Sequence, residues 1–215
     1  MTLNFYLILL IIFIFTIFSS LFSCFYCPVK IKILSIIVLL LLLIRNISLI
    51  IMCIVENINY MYLLKPFYFL YIICIPICIF ISMYILIRND KINFIYVLIF
   101  SILIIITYFI SITFAKVYIE MFQFYNLGYV MRLYNPIYTE IFSVSINCSV
   151  IVFTIGIISR LKKVEIGPVL LIISAVASVL SILASYININ IMPQYLFGEL
   201  FWVITLNYFL HKVEK

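Results

Sequence analysis

Seven long apolar segments follow one another along the chain, and short polar stretches separate them. A helix needs about 20 apolar residues to cross the hydrocarbon core of a bilayer, and most of these segments reach that length. None shows the alternation of apolar and polar positions over about ten residues that is typical of membrane β-barrels. The pattern predicts membrane-spanning helices at about Leu3–Ser23, Ile33–Val55, Pro66–Leu86, Phe94–Phe114, Ile141–Ser159, Pro168–Ile187 and Tyr195–Leu210.

The first and last segments need separate arguments. The seventh is the shortest and carries Glu199, so its apolar pattern is the weakest. The first has the length of a secretory signal peptide, but no Lys or Arg precedes it and no convincing small-residue cleavage site follows it. We therefore expect a retained helix at the N-terminus.

Composition supports a membrane protein rather than a soluble one. The chain of 215 residues is 68% hydrophobic and 9% charged, whereas soluble domains are about half apolar and about a quarter charged. The 4 glycines argue against a β-barrel, whose many turns need them. We expect an all-α polytopic helix bundle in the cell membrane, with residues 1–215 forming a single transmembrane domain and the lipid bilayer as its surroundings.

The basic residues predict the orientation of this bundle. Nine of the 13 Lys and Arg residues fall in the segments 24–32, 87–93, 160–167 and 211–215. Only Lys65, Lys116 and Arg132 fall in the segments on the other side. Since cytoplasmic loops are enriched in Lys and Arg, the N-terminus is predicted outside and the C-terminus inside. The net charge of +6 is thus attributed to topology, and no nucleic acid partner is expected.

Signatures of catalysis and of metal binding are weak. The sequence has no glycine-rich phosphate loop, no histidine pair and no nucleophile elbow. Cys24 and Cys27 have the spacing of a metal-binding pair, but a second pair is missing, so two free thiols are expected. We therefore predict a non-enzymatic protein without cofactor or metal.

Arg45 lies near the middle of the second predicted span. A charge at that depth costs about 2.5–3.5 kcal/mol on insertion scales, so its side chain should face the bundle interior and have a partner. At about 1.5 Å per residue, Arg45 lies about 15 Å and Glu199 about 7 Å below the outer surface, a difference that an arginine side chain can largely bridge. Glu199 is the first candidate, and Asn46 and Asn147 are secondary ones. The pair could lock two helices together or take part in ligand binding.

The long connection 116–140 is rich in tyrosine, which favours membrane interfaces. It is predicted to form either a helix along the outer leaflet or a lid over an outward-facing pocket, with Arg132 available to an anionic ligand. Glu56, Lys65, Arg132 and Glu140 are the candidate rim of such a pocket, which would accept a small or lipid-like ligand. Pro76, inside the third span, is expected to kink that helix as a fixed bend or a hinge.

One part of the sequence resembles a known family. The run Glu56-Asn57, Leu64-Lys65-Pro66, Phe69-Leu70-Tyr71 and Pro76 is similar to the seven-helix sensor regions at the N-terminus of some bacterial histidine kinases. The resemblance implies an input module that senses a ligand or a membrane state and passes a helix movement inward. Such regions feed a kinase or another output domain, whereas this sequence ends shortly after its last predicted helix. The resemblance therefore implies a protein partner, an oligomer or a longer chain.

Two other functional classes stay open. One is a transport component such as a substrate-binding subunit, although transporter helices tend to be richer in glycine and interrupted near the midplane. The other is a structural or assembly subunit of a larger membrane complex, which would need few functional polar residues.

Overall fold

The computed structural model describes residues 3–54, 58–87, 93–121, 128–159, 165–186 and 195–214. These residues form a helix bundle with one small β-hairpin between its sixth and seventh helices. The elements are α1 (Leu3–Cys24), α2 (Val29–Ile54), α3 (Ile58–Leu63), α4 (Lys65–Tyr68), α5 (Tyr71–Ile87), α6 (Ile95–Phe114), β1 (Val117–Met121), β2 (Tyr129–Leu133), α7 (Ile137–Ile158), α8 (Ile166–Tyr186) and α9 (Leu196–Glu214).

The prediction of a helical membrane bundle is confirmed. Within the described residues, six stretches are long and apolar enough to cross a membrane: Phe5–Cys24, Val29–Ile54, Lys65–Ile87, Ile95–Phe114, Ile137–Ile158 and Ile166–Ser185. A turn at Phe69 and Leu70 divides the third of these into α4 and α5, and α5 continues as a helix on both sides of Pro76. The seventh predicted segment also forms a helix, α9, but it is less apolar than the other six.

Contacts between helix termini define two ends of the bundle. At one end, Lys65 Nζ at the start of α4 donates to the Ala115 carbonyl after α6, at 2.7 Å. At the other, Lys212 Nζ near the end of α9 lies 2.6 Å from Glu165 Oε2 before α8. Successive long helices therefore run in opposite directions. We call the first the hairpin end (residues 54, 65, 114–121, 128–137, 186 and 195–196) and the second the opposite end (24–29, 87, 93–95, 158–159, 165–166 and 214).

For the connection 116–140 an interfacial helix or a lid was predicted, and the helix was wrong, because residues 117–121 and 129–133 form a hairpin. β1 and β2 pair antiparallel, with Val117 opposite Leu133 and Met121 opposite Tyr129. Both strands are rich in β-branched and aromatic residues, which fit a pleated sheet better than a helix. Gly128, with φ +76°, precedes β2, and a Cβ there would lie only 2.9 Å from the Met52 carbonyl oxygen. Glycine thus lets the hairpin pack closely against the end of α2.

α9 lies at the centre of the bundle, where it packs against α1, α5 and α8. Its side chains Trp202, Leu206 and Phe209 are fully buried. Gly198 brings α9 very close to α8, since a Cβ at this position would lie 2.7 Å from the Ser178 Cα. Small residues allow such close approach between membrane helices. Because α9 contacts protein on several sides rather than lipid, it can carry more polar residues than the surrounding helices.

Candidate functional site

The fully buried Arg45 is the centre of a polar network near the hairpin end. Its Nη1 donates to Glu199 Oε2 on α9, and its Nε donates to the Tyr68 carbonyl at 3.3 Å. The guanidinium carbon also lies 4.9 Å from the centre of the Tyr71 ring. The structure thus brings Arg45 and Glu199 together and surrounds the cation with groups from α4, α5 and α9. This arrangement replaces the hydration that the charge loses on burial.

The two asparagines considered as alternative partners bond elsewhere. Asn46 Nδ2 donates to the Leu42 carbonyl one turn earlier in α2, at 3.0 Å. Asn147 Oδ1 accepts a hydrogen bond of 3.2 Å from Trp202 Nε1. Asn147 therefore joins α7 to α9 through Trp202.

A second buried carboxyl group lies beside this network. Glu140, in the first turn of α7, is 8% exposed and accepts a hydrogen bond from the Tyr195 hydroxyl. The Tyr195 ring lies 6.3 Å from the Tyr71 ring, which in turn covers the Arg45 guanidinium. A continuous chain of side-chain contacts therefore runs from α7 to α2. This chain of contacts contains one guanidinium, that of Arg45, and two carboxyl groups, those of Glu140 and Glu199.

A cleft between α5, α7, α8 and α9 adjoins the network. Its cavity volume is about 40 Å³, and its walls are mostly isoleucine and aromatic side chains with a few polar groups. The polar groups of the wall include Glu199, Tyr195, Asn147 and Ser178. Glu199 is 2% exposed, and its Oε1 has no hydrogen-bond partner within the described part of the chain. We call this feature the Glu199 cleft.

Lys65 and Arg132, two further predicted rim residues, are not among the residues that line the cleft. Lys65 donates to the Ala115 carbonyl and so ties α4 to the end of α6. Arg132 pairs with Glu120 across the hairpin at 3.3 Å, and both side chains are more than two-fifths exposed. The register places Arg132 opposite Tyr118, diagonal to Glu120, where an exposed pair avoids the cost of desolvation. Glu56 lies outside the described residues. Among the described rim residues, Glu140 alone adjoins the cleft, through its hydrogen bond with Tyr195.

Tyr68 is the functional candidate that the sequence analysis missed. Its carbonyl accepts from Arg45, and its buried hydroxyl accepts a hydrogen bond of 2.9 Å from the Met131 backbone N–H of β2. One residue therefore connects the hairpin with the buried charge pair. Buried tyrosine hydroxyls usually have a partner, but the sequence gives no sign that this partner is a strand 63 residues away.

The two thiols of the Cys24-x-x-Cys27 pair are buried at the opposite end. Cys27 Sγ lies 3.5 Å from the Leu210 carbonyl oxygen, so it takes part in packing against α9. Over the described ranges, no three His, Cys, Asp or Glu side chains lie close enough to hold a metal ion. Comparison with protein-family models, with curated proteins and with solved structures found no match for this chain.

Proposed function

We propose that the chain crosses the cell membrane seven times, with its N-terminus outside and its C-terminus inside. The six apolar helices and the alternation of helix directions support this topology, and α9 would be the seventh span. The central position of α9 allows it to be less apolar than the other six helices. Nine of the 13 Lys and Arg residues fall in the sequence segments that connect the helices at the opposite end, which supports a cytoplasmic position for that end. The hairpin end would then face outward.

The function that the geometry favours is a non-enzymatic sensory or signalling input module that acts with a protein partner. The observation that carries this proposal is the position of the Arg45–Glu199 pair. Through Glu199 the pair adjoins a cleft, and through Tyr68 it connects with the outer hairpin. A pair that only locked α2 to α9 would need neither connection. The resemblance of the segment from Glu56 to Pro76 to histidine kinase sensor regions points in the same direction.

α9 is the element that would carry a signal across the membrane. It begins next to the cleft, includes Glu199 in its first turn and extends 19 residues to the opposite end. A ligand in the cleft would alter the surroundings of Glu199, and a displaced α9 would present a different terminus to a cytoplasmic partner. Such a ligand shifts the equilibrium between two positions of α9 only as far as its affinities for the two positions differ.

Purification of the chain in mild detergent after chemical cross-linking tests this proposal, with mass spectrometry to identify the partner. A partner with a kinase or another signalling domain is the expected result. An ATPase partner would instead indicate a transport component, and a large set of subunits a structural role; either would overturn the signalling assignment. The control is the pair of changes Arg45→Leu with Glu199→Leu, which should retain the partner but uncouple its output from the cleft.

A further inference from the structure

The Glu199 cleft lacks a hydrogen-bond donor for one of its acceptors. Glu199 Oε2 is bonded to Arg45, whereas Oε1 has no partner among the described residues. The nearby polar groups are already engaged: Asn147 Nδ2 donates to the Ser143 carbonyl at 2.8 Å, and the Ser178 hydroxyl donates to the Ser174 carbonyl at 2.9 Å. A buried carboxylate oxygen without a donor is costly, so a bound donor would be stabilised at this position.

A second acceptor lies in the same wall. Pro76 has no N–H and therefore cannot donate to the carbonyl of Ile72, four residues earlier in α5. Both residues line the cleft. The walls of the cleft thus include a carboxylate without a donor for one of its oxygens and a residue whose backbone carbonyl lacks its usual helical donor. A matching ligand has to donate hydrogen bonds rather than accept them.

Charge and aromatic groups narrow the ligand class further. Glu199 in the wall and Glu140 beside it are both carboxyl groups. The rings of Tyr71, Phe142 and Tyr195 lie in the walls of the cleft. Carboxylates and aromatic faces together are favourable surroundings for an ammonium group. An anionic ligand would lie against the Glu199 carboxylate.

The size of the cleft limits which part of a ligand can lie beside Glu199. A cavity of about 40 Å³ accommodates a few water molecules, since about 10–15 Å³ of such volume is enough for one. Only a small head group fits beside Glu199. α7 packs mainly on α8 and only lightly on α5, and the α5 and α8 walls include Ile75, Ile79 and Ile182. The space between α5 and α7 therefore suits an apolar body.

We infer that the Glu199 cleft binds the primary ammonium head of an amphipathic amine. The head would donate to Glu199 Oε1 and to the Ile72 carbonyl, and the apolar body would lie along the isoleucines between α5 and α7. This assignment names the ligand class of the proposed sensory function and rests on it. Glu199 Oε1 is closed off in this structure, so the carboxylate has to turn as the head enters; the terminal torsion of glutamate is broad and permits this.

The single tryptophan provides a direct measurement. Trp202 is hydrogen-bonded to Asn147 in the wall of the cleft, so its fluorescence should respond to an occupant. The full chain in phosphatidylcholine nanodiscs is titrated with dodecylamine, dodecanol and laurate, which share one chain length. A saturable change with dodecylamine alone is the expected result. Choline head groups have no N–H and should leave the site open to the probe.

Two substitutions on α7 test whether the fluorescence change comes from binding in the Glu199 cleft. Ser143→Phe fills the cleft, whereas Ser145→Phe makes the same change on the exposed side of the helix. Dodecylamine should bind about ten- to hundredfold more weakly to the first variant, the loss expected when a charge-assisted hydrogen bond cannot form. The second should bind as the unmodified chain does. Glu199→Gln should give a similar loss; where that variant fails to fold, Ser143→Phe carries the test.

Nanodiscs containing phosphatidylethanolamine show whether the ammonium group comes from a lipid head group or from a free amphipathic amine. Competition with dodecylamine would identify a lipid head group, and unchanged affinity would identify a free amphipathic amine. An equal response to dodecanol or laurate, abolished by Ser143→Phe, would overturn the amine assignment but leave the proposed function a ligand site. If no probe gives a saturable fluorescence change that Ser143→Phe abolishes, water occupies the cleft and the inference is overturned. The cross-linking experiment still tests the proposed function separately.

Discussion

Replacing Arg45 with leucine removes the cation that fills the space between α2, α5 and α9. The change leaves Glu199 buried without its partner and takes the Nε donor away from the Tyr68 carbonyl. Removing one member of a buried pair costs about 3–5 kcal/mol, since the other charge stays uncompensated. Glu199→Leu should cost a similar amount, because it removes the carboxylate that compensates the buried guanidinium.

The double variant, with leucine at both positions, should recover most of this loss. Replacing a whole buried ion pair with apolar residues of similar volume is often neutral, or stabilising by about 1–4 kcal/mol. The coupling energy of the cycle should therefore be several kcal/mol. For a chain of 150–250 residues, 1 kcal/mol corresponds to about 2–4 °C in Tm, so each single variant should melt about 6–20 °C lower.

Thermal unfolding in one mild detergent, followed by circular dichroism, measures all four members of this cycle. The matched control is the exposed pair Lys212–Glu165 at the opposite end, whose side chains are about half exposed. Leucine at those two positions should show a coupling of at most about 1 kcal/mol. Strictly additive losses at Arg45 and Glu199 would refute the idea that the two charges stabilise each other.

Three further predictions address packing, the hairpin and topology. Gly198→Ala should lower the free energy of unfolding by about 1–3 kcal/mol, because its Cβ meets the Ser178 backbone. Gly156 has open space around it, so Gly156→Ala should raise the free energy of unfolding by up to about 1 kcal/mol through helix propensity. Equal effects of the two changes in thermal melts would contradict the packing argument. Tyr68→Phe should leave the Met131 amide without its acceptor, and hydrogen exchange at this amide should accelerate; unchanged exchange would show that the hydroxyl does not hold the hairpin. A membrane-impermeable maleimide should label Tyr134→Cys in intact cells and His211→Cys only after permeabilisation; the reverse result would exclude the proposed orientation.

The sequence predicts the helical architecture well because apolar length is a local property. The predicted and observed helices agree within a few residues at most of their boundaries. It also pointed to Glu199 as the partner of Arg45, because a charge within an apolar span needs a counter-charge and the chain offers few at a similar depth. These inferences need only composition and distance along a helix.

The hairpin and the role of Tyr68 could not be predicted in the same way. Interfacial tyrosines are compatible with a helix or a strand, and the strands have only five residues each. What decides the conformation is docking: Gly128 packs on Met52, and Met131 donates to the Tyr68 hydroxyl. These contacts join residues far apart in the chain, and no local pattern records them. The cleft depends on four helices and is missed for the same reason.

The central position of α9 explains why the least apolar helix carries the candidate site. Helices within a bilayer gain little from the hydrophobic effect when they pack against each other, so small residues and hydrogen bonds determine their arrangement. Gly198 fixes the distance between α8 and α9, and Glu199, the next residue, meets Arg45. A displacement of α9 at this level therefore has to alter both the close contact and the charge pair. A ligand that bonds to Glu199 acts where the position of the central helix is most sensitive to a change of partner.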